Sequence, residues 1–184
     1  MISAPIDVLA APEHRIAEII DGELILSPRP ASPHARASTV LSQQLGDAFD
    51  REAGEPPRPG GWWILFEPEL HFGDDVVVPD LAAWRRERLP RIPDAPWFDL
   101  HPDWVCETLS PSTARIDRGS KLAIYARAGV GNLWLLDPLA RTLEVLRLRA
   151  DGHYLIAAVH SGDETPRAEP FDAVELALAR LWLD

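Results

Sequence analysis

The sequence predicts a mixed α+β fold in which helices flank a mixed central β-sheet, after an N-terminal β-hairpin and before extra C-terminal strands. The first observation behind this prediction is the order of the apolar segments, a hairpin followed by α-β-β-β-α-β and then further strands. The second is the length of 184 residues with 46% hydrophobic residues, which supports a buried core without disulfides. We therefore expect residues 1–184 to form one domain.

The first elements of the chain are a hairpin and a helix. Apolar runs at 15–20 and 23–26 flank Asp21-Gly22, a dipeptide that favours a type I′ turn. Ser32-Pro33 fits a helix N-cap followed by proline at the first helical position. Apolar residues then recur at helical spacing, so we predict a helix that ends near residue 51.

The later elements alternate between short apolar runs and one helical segment. Leu122, Tyr125 and Ala126 form an apolar stripe at helical spacing, whereas the other runs are short and bounded by Pro, Gly or Asp. In order, we predict a Pro-rich loop at 56–61, strands at 62–72, 76–84 and 104–109, a helix at 117–130, and strands at 133–136, 142–148 and 154–159. The tail at 173–182 fits a strand and a helix equally.

The charge balance limits how the protein can bind nucleic acid. The formal net charge is −11, whereas a protein that coats nucleic acid through its overall charge is basic. Any nucleic-acid contact must therefore use a local basic patch, most simply together with a metal ion. Lys121 is the single lysine among 18 basic residues. Composition alone leaves two equal interpretations: a surface lysine that was retained by chance, or a position that needs a compact ammonium group.

Two carboxylates and this lysine are candidates for chemistry. Asp80 ends an apolar run, which fits a simple turn, whereas Glu107 lies inside an apolar strand where a carboxylate is costly unless it is paired or metal-bound. By alternation Glu107 shares a face with Val105. If their strands are neighbours, the two carboxylates converge on a site suited to Mg²⁺. Lys121 either pairs with Asp117 on the helix surface or lies over the two carboxylates.

Several motifs resemble the Uma2 (DUF820) family of predicted restriction endonucleases, over residues 15 to 160. In chain order these motifs are AEIIDGE at 17–23, SP at 27–28 with His34, PDLA at 79–82, ETLSPST at 107–113, DRGSKL at 117–122, YARAGV at 125–130 and LWLLDP at 133–138. The block from 107 to 138 is highly specific. The family is placed in the PD-(D/E)xK nuclease superfamily, whose restriction-endonuclease-like core has the order α-β-β-β-α-β.

The resemblance implies a metal-dependent endonuclease that hydrolyses phosphodiester bonds in nucleic acid, with DNA as the expected substrate. It implies Mg²⁺ or Mn²⁺ as the cofactor, Asp80 and Glu107 as its ligands, and a homodimer. The usual superfamily lysine stands two residues after the second carboxylate, which here is Leu109. The family carries its lysine on the following helix, so Lys121 is implied as the third catalytic residue.

Other residues are weaker candidates. His34 faces the site or bonds locally, with about equal weight. Glu23 and Glu67 are candidate accessory ligands, although a solvent-facing position is the favoured interpretation for Glu67. The candidate nucleic-acid contacts are Arg85, Arg86, Arg115 and Arg118, with an ordinary solvated surface as the alternative. The candidate aromatic interface comprises Trp62, Trp63 and Trp97.

Two other functions stay open at this point. One is a non-catalytic binding or scaffold module that keeps the fold, and the other is a hydrolase of small phosphodiesters. The sequence shows no signal peptide and no membrane-spanning run, so we expect a cytoplasmic protein without a membrane partner. Cys106 is the single cysteine, which excludes an internal disulfide, and we expect it to pack as a small hydrophobic residue.

Overall fold

The computed structural model describes residues 15–53 and 59–183. The strands are β1 (Arg15–Ile20), β2 (Glu23–Pro28), β3 (Trp62–Phe66), β4 (Leu70–Phe72), β5 (Asp75–Val77), β6 (Leu81–Arg85), β7 (Trp104–Thr108), β8 (Asn132–Asp137), β9 (Thr142–Leu148) and β10 (Tyr154–Ser161). Helix α1 is Ser32–Phe49, and helix α2 consists of Ala114–Ile116, a π-helical turn at Asp117–Lys121 and Leu122–Ala128. The predicted mixed α+β fold is confirmed.

The N-terminal hairpin forms as predicted. β1 pairs with β2 in antiparallel register from Arg15 opposite Pro28 to Ile20 opposite Glu23. The turn residues Asp21 and Gly22 both have positive φ angles, of 52° and 83°, as a type I′ turn requires. The hairpin belongs to a small sheet with the strand order β2-β1-β5-β4.

Two strands predicted as continuous are each divided between two sheets, so the predictions at 62–72 and 76–84 are wrong in extent. Pro68 and Pro79 lack the N–H that a central strand donates, and the chain changes sheet at both prolines. Glu67, before the first proline, has φ of 46°, and its N–H donates to the carbonyl of Asp80 at 3.0 Å. β3 and β6 consequently lie in the large sheet, and β4 and β5 in the small sheet.

The large sheet has the strand order β10-β9-β8-β7-β6-β3. β7 and β8 are parallel, and the other pairs are antiparallel. A parallel pair needs a crossover connection, which α2 provides. The predicted α-β-β-β-α-β order is present in this sheet and its two helices, as α1, β3, β6, β7, α2 and β8.

The two helices cover opposite faces of the large sheet. Buried residues of α1 pack with Trp104 and Cys106 of β7, whereas Tyr125 of α2 packs with Val105 on the other face. Side chains alternate along a strand, so Glu107 shares the face of Val105, as predicted, and this face is the one that α2 covers. This alternation decides which helix can reach the Glu107 carboxylate.

The ends of both helices differ slightly from the prediction. α1 begins at Ser32 with Ala31 as its N-cap residue and without a side-chain cap, and it ends at Phe49. α2 begins at Ala114, earlier than predicted, and closes at Gly129, whose φ of 79° lies in the left-handed region that glycine tolerates. Of the predicted loop at 56–61, residues 56–58 lie outside the described residues. No helix in the described ranges is long and apolar enough to cross a membrane.

The C-terminal segment completes the core on the α1 side. The Phe171 ring lies 4.9 Å from Trp62, 5.0 Å from Trp104 and 5.7 Å from Trp134, measured between ring centroids. The tail at 173–182, which was ambiguous, contains one short 3-10 helix at Leu178–Arg180. Trp62 is 4% exposed, so its predicted place in an aromatic interface is wrong.

Candidate active site

A pocket of about 270 Å³ opens between the hairpin, the start of α1, the end of β7 and the start of α2. It brings together carboxylates from five separate segments, which are Glu18, Glu67, Asp80, Glu107 and Asp117. The basic side chains of its lining are Lys121, Arg29 and His34. Carboxylates therefore outnumber cations in this pocket. The pocket is small and partly enclosed.

Asp80 is held in place by two contacts at the start of β6. Its Oδ2 accepts the backbone N–H of Thr108, the residue after Glu107, at 2.8 Å. Its Oδ1 lies 3.2 Å from Nε2 of His34, which comes from the first turn of α1. The sheet pairing of β6 with β7 thus brings Asp80 beside Glu107, and α1 supplies the histidine.

Glu107 receives two bonds from α2. Its Oε1 lies 2.7 Å from Nζ of Lys121 and 2.5 Å from the hydroxyl of Tyr125, which donates to it. Lys121 and Tyr125 are one helical turn apart on the same face of α2, so both reach one carboxylate. All three side chains are buried, and these bonds fix the orientation of the Glu107 carboxylate.

Glu18 of β1 completes the surroundings of the lysine. Its Oε1 lies 2.9 Å from Nζ of Lys121 and accepts the N–H of Val78 at 2.8 Å. Val78 stands two residues before Asp80. One oxygen of Glu18 therefore contacts both Lys121 and the backbone of the segment that leads to Asp80. The sequence does indicate this residue, because Glu18 interrupts an apolar run as Glu107 does. Our sequence interpretation did not select it.

The pKa values follow from one ammonium group among three carboxylates. Burial lowers the pKa of Lys121, but Glu107, Glu18 and Asp117 outweigh burial and raise it well above its usual value. Burial raises the pKa of Glu107 well above its usual value, although Lys121 acts in the opposite direction. Burial also raises the pKa of Asp117 to about 6, again against the effect of Lys121. Lys121 therefore stays charged, and its single positive charge does not neutralise the three carboxylates around it.

His34 is the remaining titratable group at Asp80. Burial lowers the pKa of His34, but the hydrogen bond and the charge of Asp80 outweigh burial, so the pKa is raised overall. Its Nδ1 is buried and has no hydrogen-bond partner in the described part of the chain. This nitrogen is the one polar atom of the pocket's side chains that is both buried and unsatisfied among the described residues.

The comparisons with known proteins identify the family and the fold of this chain. The family model of Uma2, described as "Putative restriction endonuclease", matches residues 6–179. The chain belongs to the Uma2 family. A crystal structure titled as a putative nuclease belonging to DUF820 from Anabaena variabilis ATCC 29413 is 24% identical, with a TM-score of 0.73, and the match covers 94% of this chain and 93% of that one. This likeness shows the shared fold. No curated protein matches the chain.

The predicted arginine contacts lie elsewhere on this Uma2 chain. Arg85 ends β6, about 16 Å from Asp80 at the usual rise per strand residue, and Arg86 follows it in a turn. Arg86 bonds Asp50 at 2.9 Å and Glu52 at 3.0 Å. Neither arginine lines the pocket beside Asp80, and their role as nucleic-acid contacts stays a prediction.

The other predicted accessory residues are divided between the pocket and the surface. Arg118 binds Glu144, and Arg115 is exposed without an ion pair among the described residues; neither lines the pocket. Glu23 is exposed at the start of β2, so it also lies outside the pocket. Glu67 does line the pocket, where it binds Arg29 at 3.1 Å. Arg29, which the sequence interpretation did not select, is thus the arginine of the pocket.

The donor set fits a hard divalent cation. In the described ranges, no group of three or more His, Cys, Asp or Glu side chains forms a metal site. Mg²⁺, however, is usually bound by one or two carboxylates together with water and substrate phosphate. Asp80 and Glu107 offer such a pair, in a pocket whose carboxylates exceed its cations. The residues present therefore fit the metal that the family resemblance implies.

Proposed function

We propose that this Uma2 chain is a Mg²⁺- or Mn²⁺-dependent endonuclease that hydrolyses phosphodiester bonds in DNA. The observation that carries this proposal is the convergence of Asp80, Glu107 and Lys121 on one pocket, with the only lysine of the chain buried beside two carboxylates. Burial of an ammonium group costs free energy of desolvation, which the ion pairs with Glu107 and Glu18 offset. The same ammonium group would also bind phosphate at this pocket.

The residues would divide the work as follows. Asp80 and Glu107 would hold the cation, which supplies charge for the phosphate and lowers the pKa of water. Nζ of Lys121 forms ion pairs with Glu107 and Glu18, and because it carries three N–H donors it would also donate to the attacking water or a phosphate oxygen. Tyr125 and the N–H of Thr108 keep the two carboxylates oriented. This pre-organisation lowers the reorganisation needed during hydrolysis.

His34 adds a proton-carrying group beside Asp80. Burial lowers the pKa of His34, but the hydrogen bond and the charge of Asp80 raise it overall, and an imidazolium here would offset part of the carboxylate excess. His34 therefore supports the orientation of Asp80 through the contact between its Nε2 and Oδ1 of Asp80.

A second candidate is the hydrolysis of small phosphodiesters. The observation that favours it is the position of Arg85, Arg86, Arg115 and Arg118, all of which lie away from the pocket. Arg29 is the single arginine of the lining, and Glu67 already pairs with it. A net charge of −11 repels a long polyanion more than a small diester.

The test is a comparison of substrates with matched variants. Supercoiled plasmid, single-stranded DNA, RNA and bis(p-nitrophenyl) phosphate are incubated at low salt with Mg²⁺ or Mn²⁺ and wild type, Asp80→Asn or Glu23→Gln. Glu23 is the control because it is an exposed carboxylate outside the pocket. We expect metal-dependent nicking by wild type and Glu23→Gln, a loss of at least about 100-fold in Asp80→Asn, and steep inhibition by salt.

The outcomes separate the candidate functions. Turnover of the small diester without cleavage of any polynucleotide would favour the second candidate. Cleavage that survives in Asp80→Asn would reject this pocket as its source. Inactivity of every protein on every substrate would favour the non-catalytic module.

A further inference from the structure

Arg29 is the arginine at the mouth of the pocket, between the hairpin and α1. Its side chain is 55% exposed, whereas Lys121 of the same pocket is only 3% exposed. The two positive charges therefore lie at different depths. A polyanion that enters the pocket meets the guanidinium group of Arg29 before it reaches the ammonium group of Lys121.

The backbone that carries Arg29 is restricted. Pro28 and Pro30 flank this residue, and a proline ring fixes its own φ angle and disfavours a helical conformation for the residue before it. The connection runs only from Arg29 to Ala31, because α1 begins at Ser32. A backbone with few alternative conformations thus carries the exposed side chain, which lowers the entropy that a contact with substrate would cost.

Glu67 holds the guanidinium group of Arg29 through a single exposed contact. Its Oε2 accepts a hydrogen bond from Nη1 of Arg29 at 3.1 Å, and it is the one hydrogen-bond partner of Arg29 within the described residues. A guanidinium group carries five N–H donors, so most of them remain for a second anion. An ion pair on the surface contributes little to stability, and another anion can therefore compete with it.

The backbone of Glu67 fixes this carboxylate beside Asp80. Glu67 has a φ angle of 46°, in the left-handed region, and its N–H donates to the carbonyl of Asp80 at 3.0 Å. A residue other than glycine is uncommon in this region, because the conformation costs energy. The fold accepts this cost at a residue whose carboxylate lines the pocket and pairs with Arg29.

We propose that Arg29 binds a backbone phosphate of the nucleic acid at the mouth of the pocket, and that Glu67 competes with this phosphate for the guanidinium group. Carboxylate and phosphate both present paired oxygens that match the guanidinium fork, so one can replace the other. The inference rests on the proposed function, because it assigns a substrate contact of the same pocket. It also gives this acidic chain a local positive charge for a polyanion.

The two members of the pair should act on DNA binding in opposite directions. Loss of the Arg29 charge removes a phosphate contact and weakens binding. Loss of the Glu67 charge removes the competitor and a negative charge from the mouth of the pocket, so binding becomes tighter. A purely structural ion pair would give the same direction for both substitutions, because either one breaks the same contact.

The experiment measures the fluorescence anisotropy of a labelled DNA duplex, with Ca²⁺ in place of Mg²⁺ and at several salt concentrations. Equilibrium binding needs no turnover, so the result does not depend on whether the pocket hydrolyses DNA. The variants are Arg29→Gln, Glu67→Gln and, as a matched control, Arg115→Gln, which removes an exposed arginine charge outside the pocket lining. Circular dichroism and urea unfolding check that each variant keeps the fold.

We expect Arg29→Gln to raise the dissociation constant about 10-fold and Glu67→Gln to lower it about threefold. The logarithm of the affinity falls linearly with the logarithm of the salt concentration. The slope should become shallower by about 0.9 in Arg29→Gln, as the loss of one phosphate contact requires. Arg115→Gln should match the wild type in affinity and in slope.

Four results would overturn the proposal. They are a wild type that binds no DNA, an Arg29→Gln variant with the affinity and slope of the wild type, a Glu67→Gln variant that binds more weakly, and an Arg115→Gln variant that loses as much affinity as Arg29→Gln. The expected binding responses without any cleavage in Mg²⁺ would reject the nuclease activity and support the phosphate contact.

Discussion

Replacement of the buried lysine by an apolar residue of similar length tests the electrostatic account of the pocket. Lys121 is 3% exposed and lies 2.7 Å from Glu107, 2.9 Å from Glu18 and 3.8 Å from Asp117. Lys121→Met leaves these three carboxylates without their common counter-charge. Removal of one partner from a buried pair costs about 3–5 kcal/mol, a large fraction of a typical free energy of unfolding.

Urea unfolding followed by tryptophan fluorescence measures this loss. With a slope of about 2 kcal/mol per molar urea, the midpoint should fall by about 2 M at neutral pH. Protonation of Glu107 and Asp117, whose pKa values are raised, relieves the repulsion in the variant. The loss should therefore be smaller at about pH 5 than at neutral pH.

Two further variants make the result specific. Arg115→Met removes an exposed cation of the same helix and should change the free energy of unfolding by less than about 0.5 kcal/mol. Lys121→Met/Glu107→Gln removes one of the stranded charges and should recover about 1 kcal/mol or more of the single variant's loss. If Lys121→Met were no more costly than Arg115→Met, the lysine would not neutralise the pocket and the argument would fail.

Three other predictions follow from the same contacts. Burial raises the pKa of Asp117 to about 6, so its charged form destabilises the folded state above that pH. Asp117→Asn should therefore raise the free energy of unfolding, measured in urea, by on the order of 3 kcal/mol at neutral pH and by little at about pH 4. A lower stability of this variant would contradict the prediction. Tyr125→Phe removes a buried donor to Glu107 and should cost about 1–3 kcal/mol in the same assay, so an unchanged midpoint would argue against that bond. Cys106 is fully buried and burial raises its pKa, so a disulfide reagent should label it only after unfolding, and labelling of the native protein would show that β7 opens.

The sequence predicts the fold well because its local signals agree with its packing. Asp21-Gly22 specifies the hairpin turn, and alternation along β7 places Glu107 on the α2 side. The missed boundaries have a common physical cause. Pro68 and Pro79 both interrupt apolar runs, and only the pairing of the resulting halves with different sheets shows that each run is two strands.

The candidate site is predictable only in part. A carboxylate within an apolar strand identified Glu107, and the same test applied to β1 would have found Glu18. Arg85 is close to Asp80 in the sequence, but the extended strand between them carries it about 16 Å away. The contact between Glu18 and Lys121 joins residues more than a hundred positions apart, and no local pattern encodes that distance.

The central claim is that Asp80 and Glu107 hold a divalent cation, and Mn²⁺ binding tests it most directly. The electron paramagnetic resonance signal of unbound Mn²⁺ is titrated with wild type, Asp80→Asn, Glu107→Gln and the control Glu23→Gln, with and without a short DNA duplex. The account predicts one bound Mn²⁺ per chain for wild type and Glu23→Gln, and binding weakened on the order of 10- to 100-fold in the two pocket variants. Equal binding by all four proteins, or binding by none of them even with DNA, would contradict it.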